Sequence, residues 1–355
     1  MIILNKLFGF FRSSKLALVL LILILISCFV GVTLLPAPVS RVVIFSSLWF
    51  NLLLVLLVLN IVFCFFGRIW RRKINLISFG LIIFHLSFIL LFTGIVYDSL
   101  FFFRGSIRLT EGEALSIAEP QSYDRAQWGR FFNHEAKLKG QIYFHKLHPF
   151  FKVNGATKGV ANEISIGDEI NREKTSFIYV THPLKHKGFR YYCDKDGFSL
   201  LFILWDREGR ELYGAYFPLQ SIKQKDKTYR YTSGTAKGPG SFNFPQDPQL
   251  SPVFRLQTTY YPDPKKERDG EVFFQVWQPS HRPTTGGEKE LFKGKAVLGE
   301  RVKVGDYFLS MKEVRYWSSM DVYYNPGLLL ILTSLWIGLG GIALTTIARL
   351  ARKKD

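Results

Sequence analysis

Hydrophobic and polar positions divide the chain into two regimes. Four long runs are almost wholly apolar, and between the third and the fourth lies a stretch of short alternating segments. The apolar runs cover residues 16–35, 46–66, 76–97 and 328–347. A helix rising ~1.5 Å per residue needs about 20 residues to cross a hydrocarbon core ~30 Å thick. Each run meets that length, so each predicts a transmembrane helix. Between them, segments rich in β-branched and aromatic residues recur: Ser106–Leu109, Gly140–Leu147, Ser176–Thr181, Phe198–Trp205, Val253–Tyr261, Val272–Trp277 and Tyr307–Val314. Turn residues separate them, as at Glu111-Gly112-Glu113, Gly238-Pro239-Gly240 and Asp269-Gly270. No helical period there outlasts a turn or two, which predicts a β-sandwich or barrel-like domain. A Gly/Pro-rich run at Gly234–Gln249 suggests a division into two lobes.

Charge sets the orientation. Residues 1–97 contain no Asp or Glu, and 27 of the 28 acidic residues fall in 98–325. A net charge of +18 would in a soluble chain suggest nucleic acid. Its placement argues against that partner. Lys6, Arg12, Lys15, the cluster Arg68 to Lys73, Arg349, Arg352, Lys353 and Lys354 all flank apolar runs. Residues 98–325 hold 34 Lys and Arg against 27 Asp and Glu, close to balance. Basic loops stay on the cytoplasmic side, so both termini are read as cytoplasmic and the segment between runs three and four as extracytoplasmic. The basic flank before residue 16 resembles a signal peptide. However, the run is longer than a signal core and Pro36-Ala37-Pro38 is a poor cleavage context, so a retained helix is expected.

The predicted architecture is therefore an integral membrane protein with four transmembrane α-helices and a large β-rich extracytoplasmic domain between helices 3 and 4. Residues 1–98 hold three helices, 99–325 the domain, and 326–355 the fourth helix with a basic cytoplasmic tail. Asn325-Pro326-Gly327 opens that helix. Gly338, Gly340 and Gly341 give it a small profile that a neighbouring helix could approach.

Chemistry-bearing residues are few. His85 lies about 14 Å into the third run if that run starts at Leu76, close to the bilayer midplane. A titratable side chain at that depth turns to a protein neighbour, a cavity or a ligand. A neutral imidazole bonded to a neighbouring helix and a ligand or proton-relay group both fit. Arg104 follows Phe101-Phe102-Phe103, and an aromatic patch beside a guanidinium suits a flat apolar ligand bearing carboxylates. Interfacial anchoring with a headgroup contact is the plainer reading. His145 and His148, three apart on one strand, fall on opposite faces, and Pro183 separates His182 from His186, so neither pair is expected to bind metal. With His134 and His281 they are read as surface loop histidines. Cys28, Cys64 and Cys193 form no CxxC, which excludes a thioredoxin-type reductant. The charged runs Lys223–Lys227 and Lys265–Arg268 read as solvated hairpin tips. No hydrolase elbow, phosphate loop or metalloprotease motif is present, and no catalytic residue is assigned.

Taken in order, these pieces resemble the ResB/CcsB proteins of the type II cytochrome c biogenesis system. The resemblance rests on FFRSSKLALVLLILILI at Phe10–Ile26, SSLWFNLLLVLLVLNIVFC at Ser46–Cys64 and the third run with its histidine. It continues with Phe103-Arg104-Gly105, PLKHKGFRYY at Pro183–Tyr192 and YYNPGLLLILTSLWIGLGG at Tyr323–Gly341. It implies a protein of the bacterial cytoplasmic membrane that works with a ResC/CcsA-type membrane partner. Together they move haem (haem b) across the membrane and attach it to the CxxCH cysteines of apocytochrome c. It also implies that His85 is an axial haem ligand, touching metal only through the haem iron, with the second ligand coming from the partner. Arg104 would face a haem carboxylate. The chain would be a non-autonomous subunit of a cytochrome c synthase, or haem lyase. A thioredoxin-like thiol reductant is a further candidate partner. The alternative is a non-catalytic scaffold whose outer domain binds apocytochrome or the partner without ligating haem.

Overall fold

A computed structural model describes residues 9–66, 75–167, 175–224, 229–235, 238–247, 249–263, 266, 268–279 and 289–352. Among the described residues four helices are long and apolar enough to cross a membrane. Helix α1 spans Ser14–Thr33 and α2 spans Leu48–Ile61, continuing as a π-helical turn over Val62–Phe66. Helix α3 covers Leu76–Phe101 and α4 covers Leu328–Arg352. The last two are longer than the apolar runs alone predict. Polar residues just before each run explain where the first three begin. Ser13 Oγ accepts from Leu16 N at 3.4 Å, Ser47 Oγ from Phe50 N at 3.3 Å, and Asn75 Oδ1 from Ser78 N at 2.7 Å. Each satisfies an amide that the first turn leaves without an intrahelical partner. The basic cluster Arg68 to Lys73, the residues Lys6, Lys353 and Lys354, and His281 lie outside the described residues.

Helices α3 and α4 meet along a seam of small residues. A Cβ built on Gly341 would stand 2.7 Å from Phe84 N, and one on Gly80 would stand 2.4 Å from Thr345 Oγ1. Only glycine permits that approach, and apolar helices associate through such close packing. Gly340 meets nothing within 4 Å, so it lies off the seam that Gly338 and Gly341 form. Helix α2 is held to its neighbours by amides within its apolar run. Asn51 Nδ2 donates to Ser99 Oγ of α3 at 2.9 Å, and Asn60 Nδ2 donates to Phe11 O at 2.9 Å.

The helix pair α3 and α4 continues directly into a strand pair. Strand β1 (Phe103–Thr110) starts two residues after α3 ends, and the last strand, Tyr307–Tyr324, ends shortly before α4 begins. They run antiparallel from Phe103 opposite Tyr324 to Thr110 opposite Trp317. The remaining long strands are β2 (Gln141–Val153), β3 (Ala156–Gly167), β4 (Phe189–Trp205), β5 (Glu211–Pro218), β6 (Phe254–Pro262), β7 (Gly270–Trp277) and β8 (Glu290–Val297), and Tyr307–Tyr324 is β9. A seven-stranded sheet has β1, β9 and β4 at its centre, a six-stranded sheet contains β6, β7 and β8, and a four-stranded sheet contains β2 and β3. Ile107, Ile142, Phe144, Leu256, Phe274 and Leu309, drawn from these three larger sheets, belong to one continuous buried core.

All seven segments with a strand signature fall on strands, most of which extend beyond the signature. The expected division into two lobes at Gly234–Gln249 is not found. Tyr229–Thr232 before that run and β6 after it pair in the same sheet, and Phe242–Phe244 within it pairs with β6. The glycines and prolines there turn the chain inside one sheet.

Candidate functional site

His85 projects from the middle of α3, about 140° around the helix from Gly80 and so away from the α4 seam. Its ring lies on the ring of Phe65, with centroids 3.5 Å apart and planes 7° apart. The π-helical turn at the end of α2 carries Phe65. Phe84 meets the imidazole edge-on at 5.7 Å. The aromatic contacts continue along α3 from Phe84 to Phe88 at 4.8 Å and on to Phe92 at 6.1 Å.

One hydrogen bond sets the imidazole's chemistry. Nδ1 lies 2.8 Å from the carbonyl oxygen of Leu81, one turn back. A carbonyl only accepts, so in the neutral ring Nδ1 carries the proton and Nε2 keeps its lone pair. Among the described residues no hydrogen bond reaches Nε2. A ring that donates through one nitrogen to a backbone carbonyl and leaves the other open is the arrangement of a metal-ligating histidine. Such a nitrogen could ligate a metal ion brought to it.

Arg104 occupies a different place. Helix α3 carries the chain about 24 Å from His85 to Phe101, and Arg104 lies beyond that on β1. That separation exceeds the reach from a porphyrin iron to its own carboxylates, so one haem cannot engage both residues. Arg104 lies with its guanidinium carbon 5.4 Å from the Tyr323 ring centroid, and its Nε is buried with no hydrogen-bond partner. Burial holds the Arg104 and Arg41 guanidinium pKa values below their usual range, and each group also lies within electrostatic reach of Asp98 and Tyr323. Asp98 accepts from Gly327 N at 3.2 Å, tying the outer end of α3 to the start of α4.

The soluble histidines differ from the sequence reading, both in the faces of His145 and His148 and in the packing of His134. His145 Nε2 lies 2.9 Å from Ser165 Oγ, and His148 Nε2 lies 2.8 Å from Glu163 Oε2. Ser165 and Glu163 are two apart on β3, so both histidines face one side. The register shift between Phe144 and Lys146 is the cause, because a bulge adds a residue and inverts the alternation. His134 sits among aromatic edges, 4.1 Å from Trp128 and 5.1 Å from Phe132, and burial lowers its pKa. Among the described residues no group of three His, Cys, Asp or Glu is placed to hold a metal ion.

Glu111, read from the sequence as a turn residue, and Arg268, read as part of a solvated tip, form the domain's polar junction. Glu111 is 6% exposed and accepts from Leu147 N at 2.8 Å on β2 and from Tyr316 N at 3.4 Å on β9. Its other partner is Arg268, with Arg268 Nη2 2.9 Å from Glu111 Oε2. Arg268 also lies over the Tyr316 ring at 4.8 Å, so this end of the Lys265–Arg268 run is a structural contact rather than a solvated tip. Lys225, Lys227 and Lys265 lie outside the described residues. A cleft of about 550 Å³ opens beside this junction, lined by Arg108, Glu113, Asp124, Tyr216 and Arg315 among others. Its charges pair with one another or with neighbours, Arg108 with Asp124 at 2.7 Å and Arg315 with Glu313 at 2.8 Å.

No curated protein matches the chain. Four apolar helices, a β-rich domain joined directly to α3 and α4, and an open imidazole nitrogen on α3 are the features that a family assignment has to accommodate. Residues 72–352, which include α3, the whole domain and α4, match the ResB-like family, and the chain belongs to that family.

Proposed function

We propose that this protein is a haem-handling subunit of a cytochrome c maturation machine, working with a ResC/CcsA-type membrane partner. Family membership supports the cytochrome c biogenesis role. The observation that carries the haem reading is the imidazole of His85, donating through Nδ1 to Leu81 O while Nε2 stays open in an apolar helix. In this reading the four helices cross the bacterial cytoplasmic membrane with both termini cytoplasmic, and the β-rich domain lies outside. Haem is the substrate. His85 Nε2 supplies one axial ligand and the partner supplies the other, so the site is complete only in the complex. Ligation uses the lone pair of the ring nitrogen that does not donate to Leu81. No covalent step is assigned to this chain's residues, and thioether formation to apocytochrome c belongs to the assembled complex.

The test is the visible absorption spectrum of the pair purified together, wild type beside His85→Asn. Asparagine keeps a hydrogen-bonding side chain but offers no imidazole nitrogen. Loss of the haem band with the complex intact supports ligation by His85. The scaffold reading draws on the same ring, which is already held by Leu81 and Phe65. It predicts an unchanged band and unimpaired cytochrome maturation in His85→Asn.

A further inference from the structure

Arg41 and Arg104 come from separate parts of the chain and lie within electrostatic reach of one another where the helices join the domain. Arg41 opens the turn Arg41–Phe45 between α1 and α2. That turn is tied to α3 one residue beyond Asp98, because Ser99 Oγ donates to Phe45 O at 2.9 Å and receives Asn51 Nδ2 at 2.9 Å. Arg104 stands on β1 opposite Tyr323 in the strand register, with its guanidinium against that ring. Among the described residues neither guanidinium makes an ion pair or a side-chain hydrogen bond, and Arg104 Nε is buried without a partner. Half-buried arginines are costly unless their fork of donors is met. Asp98, the nearest acid, is engaged by Gly327 N. Even with Asp98 ionised, the cluster keeps one positive charge.

The surroundings indicate the level at which this cluster sits. Trp49, Tyr97, Phe131 and Trp128 are each between 43% and 56% exposed around the same end of the helices. Phe131 is fixed there by Phe131 N donating to Leu100 O at 2.9 Å. Trp and Tyr exposed at a helix end, here Trp49, Trp128 and Tyr97, mark the membrane–water interface. With α3 rising about 33 Å from Leu76 to Asp98, the arginines stand at headgroup height.

We propose that Arg41 and Arg104 form a binding site for the phosphodiester of an anionic glycerophospholipid in the outer leaflet. Such a group carries one negative charge, matches the cluster's net charge, and presents oxygens that a guanidinium fork can engage two at a time. The acyl chains would lie along the exposed apolar faces of α1 and α2. The inference rests on the reading that the helices cross a bilayer, and it is independent of haem.

The experiment is native mass spectrometry of the full-length protein in mild detergent, titrated with phosphatidylglycerol and, separately, phosphatidylcholine. Wild type should retain one phosphatidylglycerol preferentially, and the Arg41→Gln/Arg104→Gln double variant should bind it about tenfold more weakly, as expected for loss of charge-assisted bonds. Circular dichroism melts check that the variant folds. If it does not, Arg104→Lys keeps the charge and should lose part of the preference. Equal binding by wild type and a folded variant overturns the site. Inorganic phosphate and a dicarboxylic porphyrin serve as competitors. Indifference to both supports the lipid, whereas displacement by either that depends on Arg41 and Arg104 shows the site to be for a free anion or a carboxylate, and overturns the lipid assignment. Because no haem enters the measurement, its failure leaves the His85 reading untouched.

Discussion

The imidazole of His85 lies parallel to the Phe65 ring at 3.5 Å, which fixes one face of the histidine while its Nε2 edge stays open. A stacked ring restricts rotation about the histidine side-chain bonds, so Nε2 is presented in one direction. Phe65→Ala should leave the ligand in place but loosen it. Stacking of this kind contributes about 0.5–1.5 kcal/mol, so haem retention by the co-purified pair should fall several-fold with the band position unchanged. Dissociation of haem to an apo-globin acceptor measures it.

The seam between α3 and α4 yields an internal control one residue apart. Gly341→Leu drives a side chain into Phe84 N and Gly80 O, while Gly340→Leu points into open space. Gly341→Leu should cost about 1–3 kcal/mol and lower the melting temperature in detergent. Gly340→Leu should be close to neutral. Equal effects would show that the helices do not pack along this seam.

Glu111 joins β2, β9 and Arg268 through one carboxylate. Glu111→Ala removes the acceptor of the buried Leu147 amide and the longer bond from Tyr316 N, at a cost of about 1–3 kcal/mol. Arg268→Ala should be milder, because Arg268 is 44% exposed and Glu111 keeps its backbone donors. The check is chemical denaturation of the full-length protein in detergent, followed by far-ultraviolet circular dichroism.

Cys193 tests the domain's burial by pH. Its thiol donates to Ile178 O at 3.2 Å and receives Asn162 Nδ2 at 3.2 Å, and burial pushes its pKa up to about 11 from the usual 9.0. The folded state therefore holds its proton where the unfolded chain has lost it. The stability this thiol contributes is complete below pH 9 and is lost as pH rises toward about 11. In a Cys28→Ser/Cys64→Ser background, iodoacetamide should label the folded protein slowly at pH 8 and rapidly after unfolding. Cys193→Ser should flatten part of the alkaline decline in stability.

The helices and seven strand segments were legible because their signals are local: apolar length, a capping Ser or Asn, alternating branched and aromatic residues. Strand β3 escaped because Thr157, Lys158, Gly159, Asn162 and Glu163 break its alternation. The bulge near His145 was hidden for a related reason, since one extra residue changes a face without changing composition. Of the candidate site, the Leu81 acceptor lies one helical turn from His85 and is implied by helix geometry. Phe65 is twenty residues away, and only the packing of α2 on α3 brings it there. Glu111 was legible as a turn residue but its bonding was not, because its backbone donors lie 36 and 205 residues along the chain. The aromatic run Phe101–Phe103 singled out Arg104, but nothing local singled out Arg41.

The most direct test of the account is the visible spectrum of the co-expressed complex carrying His85→Gly, recorded before and after adding imidazole. If His85 ligates haem, the band is lost in the variant and returns with imidazole, which fills the vacated space and restores the ligand nitrogen. A band that is unchanged by the mutation, and indifferent to imidazole, would place haem on the partner alone and contradict the assignment of His85.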